Sequence, residues 1–269
     1  MQLDQARIAI CERTWLENLD LALHVAGRHG GRLAASALAG ILPFALLNYW
    51  LLSWQAGDEF LQENWGLTWY WAMLLVMIEA PLATAPLTLY LGQALFVDRP
   101  SGRRIARDFL SCLPQLLLLQ VVLRSVLIVP VITWIIPYVL WPFLNEVILL
   151  ERNPLVGRPG HISTLARNGL LHRGNSGEFL LRGLGTMILA PLLVVALYAT
   201  QRVLLALLLG FDAGPVADSA AFQAVLWIVV VYFTVARFLG YLDQRIRNEG
   251  WEVELFLRAQ RERLTRQIG

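Results

Sequence analysis

The chain has 269 residues, of which 57% are hydrophobic and only 16% charged, with a net charge of +2. A soluble domain carries about a quarter charged residues, and here the charges lie in clusters between long apolar runs. That pattern excludes an ordinary soluble enzyme and points to a single membrane domain over residues 1–269, with no room for a separate soluble unit. All 22 basic residues are Arg, a bias that fits a GC-rich bacterial source better than a physical need for guanidinium groups.

Residues 1–32 are polar and amphipathic and do not have the pattern of a signal peptide. Ile8, Cys11, Trp15, Leu19, Ala22 and Ala26 recur three or four apart and form one apolar helical face. The first apolar span is Leu33 to Ser53, with Ser36 and Gly40 at the spacing that suits close helix packing. The second, Trp69 to Phe96, holds Pro81 and Pro86 and is expected to kink. The third is Phe109 to Leu127, and a turn at Pro130 leads into the fourth, Val131 to Leu150. The fifth, Gly183 to Leu209, contains Pro191, and the sixth is Ala220 to Leu242. Residues 33–242 therefore read as a bundle of about six spans, and residues 243–269 as a second amphipathic helix.

Arg placement sets the expected orientation. Nineteen Arg flank the spans, and all of them fall before span one, between spans two and three, between four and five, or after six. The three opposite loops hold none and carry Asp58, Glu59, Glu63, Asp212 and Asp218 instead. Both termini are thus expected in the cytoplasm of a bacterium, with the bundle in the inner membrane. Trp50, Trp54, Trp65, Trp69 and Trp71 form an aromatic belt around the first outer loop, with Trp134, Tyr138 and Trp141 in the outer half of span four. The fold class expected is all-α: a polytopic membrane protein of three outer-turn hairpins joined by amphipathic cytoplasmic helices.

The C-terminal helix pairs a largely apolar stripe, Val253, Phe256, Leu257, Gln260 and Leu264, with a charge ladder, Glu254, Arg258, Glu262 and Arg266. Trp251, Phe256, Leu257 and Leu264 are its candidate partner-docking residues. A shorter stripe, Ile162, Leu165, Ala166, Gly169 and Leu170, lies between spans four and five. Helices of this kind lie on a membrane surface, pack on the bundle ends or hold a partner. The three inner junctions share a pattern of apolar stretch, acid and Arg: Val97-Asp98-Arg99-Pro100, Leu150-Glu151-Arg152-Asn153-Pro154 and Leu242-Asp243-Gln244-Arg245. An old repeat and the general rules for leaving a membrane both account for it.

The stretch Tyr241-Leu242-Asp243-Gln244-Arg245-Ile246-Arg247-Asn248-Glu249-Gly250-Trp251-Glu252-Val253-Glu254-Leu255 resembles the C-terminal signature of a loose group of uncharacterised bacterial six-helix membrane proteins. That group is akin to the membrane domain attached to some glycerophosphodiester phosphodiesterases. Pro86-Leu87-Thr88 to Arg99-Pro100-Ser101 and Asn145-Glu146-Val147-Ile148-Leu149-Leu150-Glu151-Arg152 are similar to it as well. The resemblance implies a six-helix architecture. It brings no catalytic residues, because catalysis in the two-domain enzymes belongs to a soluble barrel that this chain does not contain.

Ionisable groups inside apolar spans are costly and are functional candidates by default. Here they are Glu79, Arg124, Arg202, Glu146 and Arg237. At about 1.5 Å per residue, Glu79 lies roughly 15 Å from the outer face, a depth at which it can meet Arg124 and Arg202. Either Arg can also snorkel to the headgroups. Glu79 reads as a hydrogen-bonded lock, as an Arg partner or as the lining of a transport path, and Glu146 with Arg237 as a boundary ion pair. His24, His29, His161 and His172 lack metal-ligand spacing, and no nucleotide-binding or nucleophile motif occurs, so no metal or cofactor is expected. The basic clusters suit anionic lipid headgroups and not nucleic acid. The function expected is a non-catalytic scaffold or subunit of an envelope-membrane complex, partnered by other membrane subunits. A small transporter or lipid-handling protein using Glu79 with Arg124 and Arg202 is the alternative.

Overall fold

A computed structural model of the chain describes residues 14–55, 65–95, 97, 100–122, 141–157, 162–172, 176–209 and 215–249. Among the described residues every regular element is helical. Five stretches are long and apolar enough to cross a membrane: Trp15–Leu51, Gly66–Ala94, Gly102–Val122, Gly177–Leu208 and Ala217–Asn248. This is the all-α fold of a multi-pass membrane protein. Residues 131–140 of the fourth expected span, Arg124, and residues 250–269 of the C-terminal helix, with Trp251, Phe256, Leu257 and Leu264, lie outside the described residues.

Helix α1 (Trp15–Gln55) is longer than its apolar section, because the amphipathic segment before that section is helical too. Thr14 and Glu17 start it with a reciprocal capping box: the Glu17 carboxylate accepts from Thr14 N–H at 2.6 Å, and the Glu17 N–H donates to Thr14 Oγ1 at 3.3 Å. The helix breaks at His29 (φ −116°, ψ 18°), inside a Gly-rich run of low helix propensity. Before the break, Asn18, Leu19 and Ala22 are buried, and Tyr232 donates its hydroxyl to the Leu19 carbonyl at 3.2 Å.

The second apolar run divides into α2 (Trp65–Ala83) and α3 (Ala85–Ala94). Pro81 and Pro86 remove two backbone donors, and the break falls between them at Thr84. Thr84 repairs part of the ladder, because both its N–H and its Oγ1 donate to the Ala80 carbonyl, at 2.9 and 2.7 Å. The Ala83 carbonyl beside this break faces Gly40 of α1, where an added Cβ would stand 2.0 Å from the oxygen. Gly40 is therefore the point at which α1 and the kinked helix touch backbone to backbone.

Helix α4 (Gly102–Leu116) starts earlier than the apolar run alone suggests and continues as a π-helical stretch, Leu117–Val122. Helix α5 (Leu144–Glu146) runs into a second π-helical turn, Val147–Glu151, which ends at Arg152 in the left-handed region (φ 54°). The short α6 (Thr164–His172), long α7 (Ser176–Leu209) and long α8 (Pro215–Glu249) complete the set. The core forms where α1, α2, α3 and α8 meet, and α1 packs chiefly against α8. A second apolar cluster joins α3, α4 and α5. Helix α7 exposes Leu181, Ile188, Leu192, Val195, Leu207 and Leu208, an apolar surface that water would not tolerate and lipid would.

Candidate functional site: ionic junctions of the bundle

Glu79 of α2 is buried, 9% exposed, and its Oε2 accepts a 2.7 Å hydrogen bond from Asn48 Nδ2 of α1. Asn48 stands on the helix face that Gly40 brings against α2, so the close approach of the helices makes the bond. Asn48 was not legible as the partner, because an isolated Asn in an apolar run shows nothing of which helix it faces.

Arg202 does not join Glu79. Its Nη1 donates to Asp218 Oδ1 of α8 at 2.6 Å, and Tyr198, one turn away on α7, donates to Asp218 Oδ2 at 2.7 Å. The expected cluster of Glu79 with Arg202 is therefore corrected: the acid supplied near the start of α8 is the nearer partner. Trp69 stacks on Phe222 and meets Tyr198 edge-on beside this trio.

Near the opposite, Arg-rich end, Arg237 Nε of α8 donates to Glu146 Oε1 of α5 at 2.7 Å, and Glu146 is fully buried. The other half of this fork is open, since Glu146 Oε2 and Arg237 Nη2 are buried without hydrogen-bond partners. One turn further along α8, Tyr241 donates its hydroxyl to Glu151 Oε1 at 2.8 Å. Arg167 of α6 clasps the same carboxylate through Nε at 2.6 Å and Nη2 at 3.1 Å, and Asn153 Nδ2 adds a bond of 3.0 Å. Burial pushes the Glu151 carboxyl up, but the Arg167 and Tyr241 hydrogen bonds and the charges of Arg167 and Arg245 outweigh it. They hold the carboxyl below its ordinary value of 4.5.

Asp243 takes Arg182 of α7 at 3.5 Å and Arg247 at 3.3 Å, and Arg182 also pairs with Glu178. Gln244 and Asn248 both donate to the Leu171 carbonyl at 3.1 Å, satisfying an end carbonyl of α6. The segments Asn145–Arg152 and Tyr241–Asn248 are thus brought against one another. Tyr241, Asp243, Gln244, Arg247 and Asn248 each bind inside the chain.

Helix α6 packs through its polar face and leaves its apolar stripe outward. Its buried residues are Thr164, Asn168 and Leu171, while Ile162, Leu165 and Leu170 of the expected apolar stripe are exposed. The polar face turns inward because the junction needs it: Gln115 Nε2 donates to Thr164 Oγ1 at 2.5 Å, and Thr164 Oγ1 donates to the Asn153 carbonyl at 2.9 Å. Among the described residues no three His, Cys, Asp or Glu side chains converge as metal ligands. The arrangement can pair helices and fix their depth. No protein-family model matches the chain, and no curated protein or solved structure matches it either.

Proposed function

We propose that this protein is a non-catalytic scaffold or subunit of a bacterial inner-membrane complex, with both termini in the cytoplasm. Residues 131–150 supply a sixth span, and three outer-turn hairpins make the bundle, in keeping with the 19 flanking Arg on one side and the acidic loops on the other. One observation carries the reading. Each described intramembrane charge is engaged by a neighbouring helix: Glu79 by Asn48, Arg202 by Asp218, Glu146 by Arg237. The signature residues of α8 are likewise engaged at the Arg-rich junction. Groups used in this way fix an architecture. The surface left for partners is the cytoplasmic C-terminal helix, through Trp251, Phe256, Leu257 and Leu264.

Truncation after Glu249 tests this, because it removes that helix and keeps the α8 contacts. The shortened chain is expected to insert at normal levels and to lose its partner subunits. Partner recovery equal to that of the full chain contradicts the docking role.

A further inference from the structure

We propose that Arg104 and Arg152 form a seat for the phosphate of an anionic glycerophospholipid at the Arg-rich end of the bundle. This rests on the membrane-embedded reading above and not on the scaffold role.

Both guanidinium groups converge on one oxygen. Asp108 Oδ2 lies 2.7 Å from Arg152 Nη2 and 3.9 Å from Arg104 Nε. The Asp108 side chain is 8% exposed, whereas those of Arg104 and Arg152 are 64% and 50% exposed. The acid therefore sits beneath the two Arg and holds them, while most of their N–H donors remain turned outward. The backbone contributes as well. Arg152 is the only non-Gly residue with positive φ among the described residues, a conformation that costs energy for a residue with a Cβ. It stands at the end of the π-helical turn, where its side chain reaches Asp108. Arg103 and Arg107 are exposed on the same helix as Arg104, so the single buried acid leaves the patch strongly positive.

The surroundings suit lipid. Arg103, Arg104 and Arg107 occupy the first turns of the membrane-length stretch Gly102–Val122, so the Arg stand where a headgroup layer begins. Leu110 is 64% exposed on the next turns. Past Arg152 the chain shows Leu155 and Val156, the latter 72% exposed, and then α6 with Leu165 and Leu170 outward. Thr164 ties the start of α6 to this segment through the Asn153 and Pro154 carbonyls. Guanidinium groups beside outward apolar side chains match a phosphate with acyl chains below it, since planar donor forks bind phosphate oxygens well.

The test is native mass spectrometry of the full chain in detergent, titrated with phosphatidylglycerol, phosphatidylcholine or inorganic phosphate. Phosphatidylglycerol is expected to bind more tightly than phosphatidylcholine. Arg104→Gln with Arg152→Gln should weaken it by about five-fold per guanidinium removed. The pair Arg28→Gln with Arg32→Gln, also exposed, should keep the preference. If the first double variant does not yield a folded chain, Arg104→Gln alone should still lose about five-fold. Equal binding of the two lipids overturns the seat, as does equal weakening by both double variants. Displacement of the lipid by inorganic phosphate at matching concentration overturns the lipid assignment. A chain that shows the lipid preference but has no protein partner keeps this inference and loses the scaffold reading.

Discussion

Asn48 on α1 donates directly to the buried Glu79 carboxyl on α2, across 2.7 Å. An amide at position 79 can accept the same bond through its carbonyl oxygen, whereas an apolar side chain strands the Asn48 donor. Glu79→Gln is therefore expected to leave thermal stability in detergent nearly unchanged. Glu79→Leu should cost about 1–3 kcal/mol, the penalty of an unsatisfied buried polar group. A melting series on the purified chain measures both. Severe loss from Gln would show that the negative charge itself is needed.

The Arg237–Glu146 pair answers differently, because it joins an acid to a base and Glu146 is fully buried. Arg237→Met alone should cost about 3–5 kcal/mol by stranding a carboxylate. Adding Glu146→Leu should recover much of that, giving a coupling of about 1–3 kcal/mol in a double-mutant cycle. Additive losses would mean that the two side chains act independently.

Gly40 provides a backbone test. A methyl group there meets the Ala83 carbonyl oxygen at 2.0 Å and Pro86 Cδ at 3.0 Å, so α1 must move away from the α2–α3 break. Gly40→Ala is expected to destabilise the chain by more than 1 kcal/mol and to weaken the Asn48–Glu79 contact. Gly169→Ala on α6, where nothing stands within 4 Å, is the control and should be neutral or mildly stabilising. Equal effects at the two positions would contradict the packing described.

Much of this fold was legible in sequence, because hydropathy and Arg placement report on each segment separately. Trp15, Leu19 and Ala22 lay on the expected face for the same reason: helical periodicity is local. Pro81 and Pro86 marked the break because they remove donors wherever they occur. The partners of the charges were not legible. Asn48, Asp218 and Tyr198 depend on which helices become neighbours, and one chain carries no sign of that. Glu151 and Asp243 were visible as a junction pattern, but their roles needed α6, α7 and α8 in place. Which face of helix α6 packs on the bundle was not legible, because Thr164 and Asn168 turn inward to a junction that only the neighbouring helices supply.

Glu151 makes the junction sensitive to acid. Its carboxyl is held below 4.5 in the folded chain, so its contribution is fully present above pH 4.5 and is lost as pH falls through the lower folded value. Melting curves of the natural chain and of Glu151→Gln should therefore lie furthest apart above pH 4.5 and converge below it. A gap that stays constant down through this range would show that the Arg167 and Tyr241 bonds do not favour the ionised form.

The scaffold role is tested most directly by site-specific photocrosslinking in native membranes, with the crosslinker placed in turn along the C-terminal helix. Positions Phe256, Leu257 and Leu264 are expected to capture the same small set of membrane subunits. The ladder positions Glu254, Arg258 and Glu262 should capture little, because helical spacing sets them away from Phe256, Leu257 and Leu264. Adducts confined to lipid at the apolar positions, or equal capture at both sets, would contradict the account.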